Sequence, residues 1–239
     1  MGTDSRQLWL RLFLPFAAGY FLSYVFRTAN AVIGPVLARD LGLADNALGL
    51  LTSTYFLAFG SAQLPLGILL DRFGPRRVEA ALLLIAAAGA AVFAMSETLA
   101  GLAIGRALIG LGVSACLMAS FKAFSQWFPP ERQASLTGWI MASGGLGALA
   151  AAKPLELALG IAGWREIVLA LAVITVLVAA ALWYFVPDKP VAETGASLAE
   201  QFAGVRQIFF SRHFWRYGPL AFWLTGGFMA VQGLWATRW

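Results

Sequence analysis

The run LGLLTSTYFLAFGSAQLPLGILLDRFGPRRVEAALLLIAAAGAAVFAM, residues 48–95, decides the fold. It contains two apolar stretches, Leu48–Leu70 and Val78–Met95. Each is close to the roughly 20 predominantly apolar residues that a spanning helix needs. Between them lies Asp71-Arg72-Phe73-Gly74-Pro75-Arg76-Arg77, a charged connection with a Gly-Pro breaker at its centre. This pattern describes a helical hairpin across a membrane. Working outward, the same test predicts five more spans: Leu12–Leu37, Leu99–Phe128, Ser135–Leu159, Ile167–Val186 and Tyr217–Trp235. Turn signals separate them at Gly42 to Asn46, Pro129-Pro130, Gly160 to Trp164 and Pro187 to Pro190.

Composition agrees. Of 239 residues, 60 % are hydrophobic and 12 % charged, with a net charge of +5. A soluble domain has about 45–50 % apolar and about 25 % charged residues. A soluble globular enzyme, a disordered chain and a nucleic-acid binder are excluded. The single cysteine, Cys116, lies inside an apolar stretch, which excludes disulfide and Cys-based metal scaffolds. The first span exceeds the apolar region of a signal peptide (about 7–15 residues), carries Arg27 and Asn30, and lacks a small-residue cleavage site.

Orientation follows from the basic residues of the connections. With the N-terminus inside, the cytoplasmic segments hold Arg6, Arg11, Arg72, Arg76, Arg77, Arg132, Lys189, Arg206, Arg212 and Arg216. The outer loops hold Arg39 and Arg165. The expectation is an integral, multi-pass protein of a bacterial plasma (inner) membrane, N-terminus cytoplasmic and C-terminus outside if the seventh helix spans. The long connection carries Ser197-Leu198-Ala199-Glu200, which fits a capping box. Leu198, Phe202, Val205 and Phe209 follow at helical spacing, predicting an amphipathic helix on the membrane surface. His213 sits at headgroup level with its aromatic neighbours.

Polar residues divide the spans. Ala80–Ala94 has no polar side chain and Ile167–Leu182 has only Thr175, so the third and sixth spans suit lipid on most sides. The other early spans carry Tyr20, Ser23, Arg27 and Asn30; Thr52, Ser53, Thr54 and Gln63; Arg106, Ser114 and Lys122; Thr137, Ser143 and Lys153. Two triplets, each ending in a plain span, suggest a 3+3 internal repeat. At 100° per residue, Tyr20, Ser23, Arg27 and Asn30 share an arc of roughly 80°. An arginine at mid-bilayer costs at least about 2.5–3.5 kcal/mol, so it faces protein or water and marks a candidate site. Arg106 and Lys153 join it, with snorkelling to the outer surface the competing reading for Lys153. Asp71, Glu97, Glu131, Glu156 and Glu166 lie at span ends or in loops, so no relay of membrane carboxylates is expected. The buried charges are all positive, which favours a small anionic substrate.

The stretch Gly67-Ile-Leu-Leu-Asp71-Arg72-Phe-Gly74-Pro-Arg76-Arg77 resembles the signature of the major facilitator superfamily between its second and third helices. Arg106-Ala-Leu-Ile-Gly110-Leu-Gly112 resembles that family's fourth-helix element, and Gly163-Trp164-Arg165 its outer turn before the sixth helix. The connection from Asp188 to Trp215 matches its central loop. Arg27–Pro35 and Gln232-Gly-Leu-Trp235 are most similar to bacterial nitrate/nitrite and organic-anion porters. Lys153-Pro154 stands where antiporters have further glycines, so the resemblance does not imply antiport.

The resemblance implies an all-α membrane protein: residues 1–187 as a six-helix bundle of two three-helix repeats, 188–216 as a cytoplasmic central loop, and 217–239 as a seventh helix opening a missing C-terminal half. It implies secondary transport by alternating access, with a truncated fragment or one subunit of a split carrier as the alternatives. No enzyme activity and no cofactor are implied. The expected partners are the anionic substrate, the bilayer and the other half, with no nucleic acid. The gate motif has its own physics: Asp71 can accept bonds from a neighbouring helix N-terminus and pair with an arginine. Gly67 and Gly74 allow close approach and a tight turn.

Overall fold

The computed structural model describes residues 3–188, 207 and 210–230. Glycines and prolines set the helix boundaries. Helix α1 (Thr3–Leu41) contains Pro15 and Pro35 and ends before Gly42, whose φ is 61°. Helix α2 (Asp45–Phe73) ends at Gly74, where φ is 80°, a left-handed value that a side chain would strain. Pro75 then opens α3 (Pro75–Met95) from a position where its missing N–H costs nothing. The fourth span is interrupted: α4 (Leu99–Gly112) and α5 (Cys116–Trp127) are separated by a turn at 113–115. The fifth is interrupted too, into α6 (Pro130–Ala150) and α7 (Lys153–Leu159), with Pro154 at the start of the second piece. Helix α8 (Trp164–Phe185) completes this unit.

Counting the two interrupted spans as one helix each, six helices among the described residues are long and apolar enough to cross a membrane. Their pairing has the pattern of two three-helix repeats. The first helix packs on the fifth span and the second on the fourth, which are equivalent contacts under a swap of repeats. Third and sixth spans pack on each other across the repeat boundary.

Small residues let the backbones close up. A Cβ on Gly105 would lie 2.7 Å from the Phe93 backbone nitrogen, and one on Gly89 would lie 2.8 Å from that of Ile109. On Gly112 it would collide with Ala86. Helices α3 and α4 therefore touch main chain to main chain, the membrane way of gaining contact where lipid offers no hydrophobic drive. The third span is buried over more of its surface than the expectation of lipid on most sides allowed. The plain stretch Ala80–Ala94 is alanine-rich, and alanine serves close helix packing as readily as lipid.

The chain's second unit, Ala192–Trp239, contains α9 (Arg212–Ala230) with Pro219 inside it. The predicted seventh span overlaps α9 from Tyr217, and its last residues lie outside the described set. So does the predicted amphipathic helix from Ser197, apart from Gln207. The His213 backbone N–H donates to Ser211 Oγ at 3.2 Å.

Candidate functional site

Tyr55 and Phe59 sit one turn apart on α2 and stack, with ring centroids 6.2 Å apart and planes at 19°. Each carries a guanidinium. Arg106 from α4 lies 4.7 Å above the Tyr55 ring. Arg27 from α1 lies 5.1 Å from the Phe59 ring and 4.8 Å from Tyr24. Arg106 is buried and donates to the Phe26 carbonyl at 3.0 Å, which places both arginines at one level of α1. Neither has a carboxylate partner among the described residues. The Nε atoms of both and the Tyr55 hydroxyl are buried without hydrogen-bond partners.

The magnitudes explain how two cations are tolerated here. A desolvated cation–π contact returns about 2 kcal/mol, and a hydrogen bond from a charged donor about 1.5–3 kcal/mol. For Arg106 the ring and the hydrogen bond, and for Arg27 its two ring contacts, offset the insertion cost of roughly 2.5–3.5 kcal/mol. Stacking uses only the face of a guanidinium. Its in-plane N–H groups stay available for a planar oxyanion.

The rest of the predicted arc diverges. Tyr20 is buried toward α6, its hydroxyl 3.8 Å from Met141 Sδ and its ring admitted by Gly144. Asn30 turns to α2 and donates to Thr52 Oγ1 at 2.9 Å. Ser23 is buried. Lys153 is not brought to this cluster. It is exposed at the start of α7 and pairs with Glu156 at 3.0 Å, because the break before Pro154 lets its chain reach outward.

At the end of α2 far from the α1–α2 turn, the Gly67–Arg77 motif forms two contacts. Asp71 pairs with Lys122 of α5, a lysine where an arginine was expected, because the last turns of α2 and α5 run side by side. Arg77 bonds Asp188 at 2.6 Å, and Arg76 lies 3.9 Å from the same carboxylate and donates to the Trp183 carbonyl at 2.5 Å. The basic pair thus clasps the end of α8. Arg72 lies over Phe73. Gly67 faces open space, so no helix among the described residues uses the close approach it allows. A groove of about 410 Å³ runs beside the Asp71–Lys122 pair, lined also by Gln63, Leu70 and Ser125.

Sequence reasoning missed three participants. Tyr55 and Phe59 were legible as an i, i+4 aromatic pair in a polar span. Glu79 was overlooked next to Arg77 and Val78: it is wholly buried on α3, so the spans do hold an inward acid. Glu79 lies near the end of its span, where carboxylates are expected, but it is buried, so the expectation that the buried ionisable groups are all basic fails there.

The family model described as Major Facilitator Superfamily matches residues 16–237. The chain belongs to the major facilitator superfamily. Among curated relatives it is 26 % identical to the probable sulfoacetate transporter SauU of Cupriavidus necator over 72 % of this chain and 40 % of that protein. It is 28 % identical to the probable L-galactonate transporter of Escherichia coli over 72 % and 38 %. To the nitrate/nitrite transporter NrtP of Picosynechococcus it is 31 % identical over 47 % and 21 %. The chain therefore spans about two fifths of the first relatives' length. The fold matches the crystal structure of a D-xylose-proton symporter with a TM-score of 0.68 at 17 % identity, covering 94 % of this chain and 60 % of that one. It is an integral, multi-pass membrane protein of a transporter family, and not an enzyme.

Proposed function

We propose that this chain is the first half of a secondary transporter for a small organic or inorganic anion, working by alternating access, with Arg27 and Arg106 as the anion-binding pair. The observation that carries this is the convergence of two guanidinium groups on the Tyr55–Phe59 platform without a carboxylate. Such a site carries two positive charges without a counter-charge, and its free in-plane donors suit carboxylate, sulfonate or nitrate geometry. Relatives named for sulfoacetate, galactonate and nitrate support the same class. A second half facing α2 completes the cavity, and the exposed Ser53, Gly60, Ser61 and Gly67 stripe on α2 suits that contact.

On this reading the Asp71 end is cytoplasmic, and the Asp71–Lys122 pair with its glycines works as the inner gate. Tyr20, Ser23 and Asn30 position the Arg27 helix. The test is uptake of labelled sulfonates, carboxylates and nitrate by a carrier containing this chain. Arg27→Gln abolishes uptake without reducing insertion, and Arg27→Lys weakens it strongly because lysine loses the fork. Normal uptake by Arg27→Gln ends the reading.

A further inference from the structure

Glu79 occupies α3 four residues after Pro75 and is 0 % exposed. Both its carboxyl oxygens are buried without a hydrogen-bond partner. Room for it is made by Gly19 on α1, where a Cβ would run into Glu79 Oε1. From α5 the thiol of Cys116 faces it.

Of the charged and titratable groups on the surrounding elements, the Tyr55 hydroxyl of α2 is buried unpartnered beside Arg106, Arg11 of α1 is exposed, and the following engage other groups. On α1, Tyr20 turns to Met141 and Arg27 to Tyr24 and Phe59. On α2, Asp71 pairs with Lys122 of α5, and Arg72 lies over Phe73. Arg106 of α4 is held by Tyr55 and Phe26. Arg76 and Arg77 of α3 itself pair with Asp188, and α8 has Arg165 over Trp164 and Glu166 bonded to Gly163 at its opposite end. Cys116 is the one titratable neighbour that interacts with Glu79 among the described residues. An ionised carboxylate without partner or water is among the costliest groups to bury, and the way out is to carry a proton.

We propose that Glu79 is a proton-binding site, separate from the arginine pair. It holds a proton while α1, α3 and α5 pack as they do here. When those helices part, the O–H bond breaks, the proton passes to entering water, and the carboxylate stays behind solvated; closure reverses the step. The site lies at the level of Gly19, eight residues from Arg27 along α1, or about 12 Å. Proton and anion would therefore occupy different levels of one bundle. Only the site's place in a transport cycle rests on the alternating-access reading.

The test uses the intact chain in lipid vesicles and two readouts that need no anion. Infrared spectra at neutral pH should show a protonated carboxyl, slow to exchange in D2O, that is missing in Glu79→Gln. Alkylation of Cys116, the only cysteine, by N-ethylmaleimide is divided by the rate of the unfolded chain at the same pH. In the wild type this ratio should rise severalfold toward alkaline pH, together with loss of the infrared band; in Glu79→Gln it should stay flat. Absence of the band in the wild type, its persistence in Glu79→Gln, or the same alkylation profile in both overturns the proposal. If Glu79→Gln does not insert, the wild type still decides: the band and the alkylation ratio must change at one pH, because Asp40, Glu97, Glu131, Glu156, Glu166 and Asp188 are exposed and Asp71 is ion-paired. Failure of the Arg27 uptake test leaves these results untouched, which separates the two readings.

Discussion

Arg106 reaches from α4 to the Phe26 carbonyl on α1, so one guanidinium bonds the backbone that carries the other. The carbonyl is the one immediately before Arg27. This contact and the Tyr55 ring return about what burial of the charge costs. Arg106→Met should therefore change stability by no more than about 1–2 kcal/mol while removing anion uptake. Detergent denaturation and uptake on the same preparation check this. A large loss of stability with retained uptake would make Arg106 a structural brace.

The Asp71–Lys122 pair is partly exposed on both sides, and such pairs contribute roughly 0.2–1 kcal/mol. On the proposed reading its effect falls on the gate and not on folding. Asp71→Asn and Lys122→Gln should each raise the labelling of a cysteine placed at Ser125, with Cys116 replaced. The exchange Asp71→Lys with Lys122→Asp should bring it back toward the wild-type rate. Unchanged labelling in both single variants would remove the pair from the gate.

Close packing of α3 on α4 predicts an asymmetry among glycines. Gly112→Ala drives a methyl into the Ala86 backbone and should cost about 1–3 kcal/mol. Gly138→Ala meets nothing within 4 Å and should stay within about 0.5 kcal/mol. Thermal unfolding of the two variants side by side measures the difference.

Reporter fusions test the orientation. Those placed in residues 72–77 and 188–215 should read cytoplasm, and one after Trp239 the outside, if the basic connections face inward. A cytoplasmic signal after Trp239 would show that the seventh segment does not cross.

The spans were legible because length and apolarity suffice to place a helix in a bilayer, and Gly74-Pro75 marks its own turn. The arginines were legible because a buried cation is costly enough to be conspicuous in a sequence. Their arrangement was not. Spacing along α1 puts Tyr20 and Asn30 on Arg27's face, yet which neighbour each one meets depends on Gly144 of α6 and Thr52 of α2, far away in the chain. Lys122 gave a charge without a partner, since its approach to Asp71 depends on how α5 runs after the break. Glu79 was hidden by its position. As the second residue of the predicted span Val78–Met95 it reads as one more acid at a span end, and only the helix start at Pro75 and the packing of Gly19 against it bury it.

The turn at 113–115 divides the fourth span into two pieces with different attachments. The piece carrying Arg106 is fastened to α3 by glycine contacts, while the piece carrying Lys122 meets α2 through a side-chain ion pair. Gln63 of α2 donates to the Ser114 carbonyl at 3.2 Å, occupying an oxygen freed where the helical ladder is interrupted. A rod would force both ends to move together. On the proposed alternating-access reading, a span jointed at this point would act as a hinge with one leaf fixed. The Lys122 leaf would swing away from Asp71 while the proposed anion site keeps its geometry, so opening one door would not disturb the cargo.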